Sequence, residues 1–177
     1  MDNKKNKNTT DKQSELFDLV DQDDKIIGQI TRSEAHADKS NIHRAVFVLI
    51  FNSKNQILLQ KRSMTKDMYP GAWCASCSGH VQTGESYEEA AKQEMSEELG
   101  IQIGGDLEFL FKDILYSPAE TEYISVYRYI TDQQISKSDE EIDQIKFFDL
   151  STKTDKQEFD ALDKAPDLAF VAEYLRK

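Results

Sequence analysis

The stretch GHVQTGESYEEAAKQEMSEELGI, from Gly79 to Ile101, constrains this chain more than any other. Its middle is rich in strong helix formers and has neither Pro nor Gly from Ser86 to Leu99, so a helix is predicted there, stopped by Gly100. Residues three and four apart share a helix face. Glu94, Glu97 and Glu98 therefore project from one side, within about a third of the circumference. Ala91, Met95 and Leu99 lie opposite and can enter a core. Three carboxylates so close repel one another, and only Lys92 offers local relief. A run of Glu is most often a solvated helix face. A crowded acidic edge beside a buried face also suits hard divalent cations, which prefer carboxylate oxygens, waters and phosphates.

The rest of the chain reads as strands around this helix. LFDLVDQDDKIIGQITR gives two short strands about a turn at Asp21–Asp24. AVFVLIFNSKNQILLQKR gives a hairpin, turning at Asn52–Asn55 and ending at Arg62. SMTKDMYPGAW is a loop, with Pro70 and Gly71 as its turn signal. DLEFLFKDILY, EYISVYRYI and IKFFDL are further strands, and the end of the chain is helical with a restart at Pro166. The class is α/β, a mixed β-sheet between helices.

A chain of 177 residues with 38% hydrophobic and 31% charged residues can build one ordinary core. We expect a disordered N-terminal tail over residues 1–14 and a single domain over 15–177. The N-terminus lacks the apolar region of a secretory signal, and no apolar run could span a bilayer, so a cytoplasmic protein without membrane partners is expected. The net charge of −11 argues against nucleic acid as partner. Cys74 and Cys77 form half a zinc site at most, and small buried side chains are the better explanation.

The pattern G-x5-E-x7-Q-E-M-S-E-E-L-G-I resembles the Nudix box, with Gly79, Glu85, Glu94, Glu97, Glu98 and Gly100 all in place. At roughly one Gly or Glu in fifteen residues, six such matches arise by chance about once in 10⁷ starts. The resemblance implies a Nudix-type α/β/α sandwich that hydrolyses a pyrophosphate bond in a nucleoside diphosphate derivative or a related diphosphate. It implies Mg²⁺ or Mn²⁺ held by Glu94, Glu97, Glu98 and the Gly79 carbonyl, with Glu94 or Glu97 as general base and Glu85 bracing the loop. One position departs from the box: Gln93 stands where the family has an arginine that pairs with the residue at the Glu85 position, and Gln supplies no charge.

HRAVFVLIFNSKNQILLQKRSMTKDMYPGAW further resembles isopentenyl-diphosphate isomerase and its nearest hydrolases, over about residues 16 to 150. That enzyme's metal site uses three histidines and two glutamates. By resemblance these are His36, His43, His80, Glu120 and Glu122, a second metal site here; each histidine taken singly is better read as a surface or hydrogen-bonded residue, and it is all three in register that points to a site. Arg32, Arg62 and Lys66 match positions that hold its diphosphate, or are ordinary surface charge. Against isomerisation, Ser78 occupies the place of the catalytic cysteine and Glu94 that of a diphosphate-binding arginine. The C-terminal active-site tryptophan has no counterpart, since the only tryptophan is Trp73. The expected activity is metal-dependent hydrolysis of a small diphosphate or nucleotide. Isopentenyl-diphosphate delta-isomerase activity and non-catalytic ligand sensing are the alternatives, and a homodimer is one admissible assembly.

Overall fold

Residues 45 to 51, AVFVLIF, are apolar at every position, as a strand buried on both faces must be. The computed structural model, which describes residue 9 and residues 11–175, builds the fold around them. The order is β1 (Leu16–Val20), β2 (Ile26–Thr31), α1 (Arg32–Ala35), β3 (Ile42–Phe51), β4 (Ile57–Arg62), β5 (Trp73–Cys74) and β6 (Cys77–His80). Then come α2 (Tyr87–Leu99), β7 (Glu108–Tyr116), β8 (Thr121–Ile130), β9 (Ile142–Phe148), α3 (Lys153–Ala161) and α4 (Pro166–Leu175). Of the tail expected over residues 1–14, residues 1–8 and 10 lie outside the described residues.

The sheet is mixed. Strand β8 runs parallel to β3 along its whole length, with β7 antiparallel on β8. Strands β1 and β6 pair antiparallel with successive parts of β3, and β2 with β1. Alternation along β3 separates two cores. Ala45, Phe47 and Leu49 pack with Ile124, Val126, Phe148 and residues of α3 and α4 such as Phe159 and Leu168. Val46, Val48 and Ile50 pack with Ala90, Ala91, Met95 and Leu99 of α2. The result is helix, sheet, helix.

The hairpin expected at residues 45–62 does not form as such. Its turn is present, with Asn55 at φ 59°, but β3 and β4 pair only at Phe51–Ile57. The reason is Ser76. Its hydroxyl accepts the Ile50 N–H at 2.8 Å and donates to the Leu58 carbonyl at 2.6 Å, standing where a ladder bond would run. Beyond that wedge β4 turns away to pair with β5 and β9. The strands splay, and a cleft opens between them.

Helix α2 has the ends its sequence predicts. Ser86 accepts the Glu89 N–H while the Glu89 carboxylate reaches back to Ser86, a capping box. Gly100 closes the helix in the left-handed region at φ 65°, where a side chain would be strained.

Candidate functional site

The cleft has a volume of about 470 Å³, and acidic side chains outnumber basic ones in its lining. One wall is α2. Glu98 is buried, with Gln60 Nε2 donating to its Oε2 at 2.9 Å and the Cys77 thiol beside it. Glu94 folds over β6. A Cβ on Gly79 would lie 2.1 Å from Glu94 Oε1, so the carboxylate fills the space that any side chain at 79 would need. The glycine of the motif is thus required by contact with the motif's own second glutamate, Glu94. Burial and the neighbouring Glu98 and Glu97 push the Glu94 carboxyl well above its ordinary range. Burial pushes Glu98 up as well, against its hydrogen bonds from Cys77 and Gln60.

Gln93 does not bridge to Glu85. Its Nε2 donates to Glu97 Oε1 at 2.9 Å, one turn along the same helix. The Glu85 carboxylate instead accepts the Gln82 N–H at 3.1 Å, within its own loop. At the departure from the box, Glu85 thus bonds within its own loop and Gln93 gives exposed Glu97 a neutral partner.

The second wall gathers residues far apart in sequence. His43 is opposite Glu122 in the β3–β8 register and His80 opposite Ala45 in β3–β6, so all three side chains leave the same face. Glu120, two residues before Glu122, shares that face, and His36 enters from the end of α1. One ligand atom from each of His36, His43, His80 and Glu120 lies within 4.8 Å of the others. Phe17 stacks on His43 and His80, with centroids at 5.3 and 4.6 Å, and sets their ring planes. His36 Nε2 is 2.9 Å from Glu120 Oε2, and its Nδ1 is 3.3 Å from Asp67. Against the cost of burial, those two carboxylates hold the His36 imidazole at about 9. Burial and the neighbouring His80 press His43 down to about 3, and burial presses His80 down to about 4. His43 Nε2 is buried with no hydrogen-bond partner among the described residues. Imidazole nitrogens and carboxylate oxygens converging on a point, one of them orphaned, fit a divalent cation. Glu122 faces His80 Nε2 at 3.5 Å, and burial beside Glu120 raises its carboxyl.

The three predicted cations line the same cleft, in unequal states. Arg32 is locked in a forked pair with Asp67, at 3.1 and 3.2 Å, and also meets Glu15. Lys66 lies 2.5 Å from both Asp11 and Glu141. Arg62 donates to the Met68 carbonyl and sits near Cys74, Asp167 and Glu98. Asp11 joins the set: its carboxylate binds Lys66, accepts the Asp67 N–H at 2.7 Å and approaches Arg32 at 3.7 Å. Against burial, Lys66 and Arg32 hold it below its usual range.

Sequence reasoning did not find Asp11, Tyr69 or Asp167 as cleft residues, nor Asp67 as the partner of Arg32 and His36. No motif or period marks them; each arrives on a loop or helix end that only the tertiary fold brings in. Ser78 lines the cleft beside Gly79, whereas Cys74 and Cys77 are fully buried and their thiols are pushed up by that burial. Trp73 packs edge-on against Phe148 in the core.

Comparison with known proteins follows the geometry. Residues 41–165 match the model of the NUDIX domain. An uncharacterized Nudix hydrolase of Pseudomonas aeruginosa is 33% identical over 137 residues, 76% of this chain and 78% of that protein. An isopentenyl-diphosphate delta-isomerase of Nocardia farcinica is 40% identical over 87 residues, about half of either chain. The crystal structure of DR0079 from Deinococcus radiodurans superposes with a TM-score of 0.74 at 26% identity, over 92% of this chain and all of that one.

Proposed function

The chain belongs to the Nudix family, and on that premise we propose that it is a divalent-metal-dependent hydrolase of the pyrophosphate bond in a nucleoside diphosphate derivative or related diphosphate. The observation that carries this reading is the α2 wall. Glu94, Glu97 and Glu98 line the cleft together with Gly79, and burial pushes two of the carboxyls up, with the neighbouring glutamates adding to the rise at Glu94. Such a cluster is costly to bury unless a cation neutralises it. Mg²⁺ or Mn²⁺ bound there supplies charge for the pyrophosphate oxygens and lowers the pKa of a water.

The chain's own residues do the rest. Buried Glu98 is oriented by Gln60 and Cys77, and exposed Glu97 takes a hydrogen bond from Gln93. Glu94 or Glu97 serves as general base and takes the proton of the attacking water. Arg62 and Lys66 face the same space and attract the anionic substrate. Asp11 is its competitor for Lys66, and the entering phosphate displaces it.

A second reading, isomerisation of isopentenyl diphosphate, is favoured by one observation, the convergence of His36, His43, His80 and Glu120. Ser78 weighs against it: the residue before Gly79 faces the cleft as a hydroxyl, a far weaker acid than a thiol. The test is direct. Incubate the protein with Mg²⁺ or Mn²⁺, and compare monophosphate and phosphate release from a nucleotide panel with double-bond migration in isopentenyl diphosphate. Release without migration is expected. Migration at an enzyme-like rate overturns the hydrolase reading.

A further inference from the structure

The α4 end of the cleft is lined by residues that neither the family motif nor the two metal-ligand sets employ. Pro166 and Asp167, the first turn of α4, form part of this end, together with Tyr69, Met68, Leu115 and Ala165. Most of that surface is apolar. Asp167 is the exception, 9% exposed and with its two oxygens in different situations. Oδ2 accepts the Ala75 N–H at 3.0 Å, which fixes the side chain. Oδ1 is buried and has no hydrogen-bond partner among the described residues. A buried carboxylate oxygen without a full hydrogen bond is expensive; burial pushes the Asp167 carboxyl up, and the Ala75 and Leu168 N–H groups and Arg62 offset only part of that. Tyr69 stands next to it at φ 48°, a left-handed backbone that a bulky residue before proline rarely adopts, and its hydroxyl is buried beside Ser117. Strain of this kind is kept where it places a side chain for use.

We propose that Asp167 is a specificity-determining residue: its Oδ1 accepts an N–H from the group carried on the substrate's diphosphate, with Tyr69, Met68 and Leu115 enclosing the ring that bears it. The class of ligand is therefore a nucleoside diphosphate whose base turns an amino edge to this wall. An alkenyl diphosphate has no donor to offer, and seating its hydrocarbon there leaves Oδ1 unpaired. The inference rests on the hydrolase reading, since the diphosphate must lie at the glutamate end for the base to reach the α4 end. A site built around one buried acceptor rejects ligands without the donor far more strongly than a purely apolar pocket could.

Cytidine and uridine differ at position 4 by an amino donor against an oxo acceptor and at N3 by an acceptor against an N–H donor, so the comparison tests a contact made at position 4. Binding is measured by titration calorimetry in Mg²⁺, using the non-hydrolysable α,β-methylene analogues of CDP and UDP and isopentenyl diphosphate. The native protein is expected to bind the cytidine analogue at least tenfold more tightly than the uridine one, and isopentenyl diphosphate more weakly than either. Asp167→Asn keeps an oxygen for the Ala75 N–H and turns an amide N–H₂ where Oδ1 was, so its preference should fall to parity or reverse. A melting curve like the native one shows that this variant is folded. Tyr69→Phe, should Asp167→Asn not fold, is expected to weaken both analogues severalfold without changing their ratio. Equal binding of the two analogues by the native protein, or an unchanged ratio in Asp167→Asn, overturns the role of Asp167 and leaves the hydrolase reading standing. Absence of both binding and hydrolysis for every diphosphate in the panel overturns the two together.

Discussion

The two walls of the cleft carry opposite electrostatic faults. The α2 wall has too much negative charge: Glu94 and Glu98 are driven toward protonation by burial and, at Glu94, by each other's fields. The β-sheet wall has balanced its charges internally: Glu120 is held well below its ordinary range by His36 and His80, and His36 is held up by Asp67 and Glu120. A metal arriving at the first wall relieves repulsion. A metal arriving at the second competes with a proton held on His36. On the proposed reading the α2 wall is the hydrolytic cation site, and the histidine wall a site that can stand without metal.

The largest effect tests that ranking. Glu98→Gln and Glu97→Gln should each lower kcat by about 10²- to 10³-fold, the scale of losing one charge-stabilising contact to the transition state. EDTA should abolish turnover, with Mg²⁺ restoring it. His43→Gln should cost hydrolysis less than about tenfold, while removing the visible absorption bands of a Co²⁺ ion bound by imidazole. Steady-state kinetics and the Co²⁺ spectrum check the two halves separately. A His43 variant as inactive as Glu98→Gln would erase the distinction between the walls.

The same contrast predicts opposite responses to pH in the metal-free protein. His43 and His80 are pressed from 6.5 to about 3 and about 4, so they favour the neutral form in the fold. Their contribution to stability is full above about pH 6.5 and is lost as pH falls toward 4. Glu94 is shifted the other way. Its contribution is full below its unfolded value near 4.5 and is lost as pH rises through its higher folded value. Glu94→Gln should therefore raise the melting temperature of the metal-free protein at pH 8 by a few degrees, roughly what one kcal/mol gives in a domain of this size. At pH 4.5 the gain should vanish and the histidine loss should dominate, by differential scanning calorimetry. Unchanged melting at pH 8 would mean that Glu94 is already relieved by another group.

How much of this was legible in the sequence follows from how each wall is built. The glutamates lie on one helix, and helix geometry alone places Glu94, Glu97 and Glu98 on one side with Met95 and Leu99 behind. The caps at Ser86 and Gly100 were equally local. The histidines lie on α1, β3 and β6, and only the pairing of β3 with both β6 and β8 turns them to one face; resemblance named them, spacing did not. The β3–β4 hairpin misled because its turn chemistry is sound, while the wedge at Ser76 comes from a segment eighteen residues beyond Leu58. Asp11 and Asp167, near opposite ends of the chain, reach the cleft through tertiary packing that no local pattern encodes.

Asp11 gives a smaller effect. Its carboxylate occupies Lys66 and the Asp67 N–H, groups that a substrate phosphate would use. Deleting residues 1–14 should lower KM severalfold with kcat nearly unchanged, because a competitor is removed and the glutamate wall is untouched. A higher KM after the deletion would make the segment a part of the substrate seat.

The smallest effect belongs to Cys77, which lies against both the core and the glutamate wall. It is fully buried among Val46, Val48 and α2 side chains, one residue out of register with Ser78, which faces the cleft. Burial pushes its thiol up, which disfavours the thiolate that a nucleophile needs. Its one link to the site is the hydrogen bond to Glu98, which a serine hydroxyl can also make. Cys77→Ser should leave kcat within about twofold and cost roughly 1–2 kcal/mol of stability for placing a hydroxyl in an apolar setting. Turnover at saturating Mg²⁺ alongside a urea midpoint separates the two. A tenfold loss of kcat with normal stability would move Cys77 from support of Glu98 into the chemistry itself.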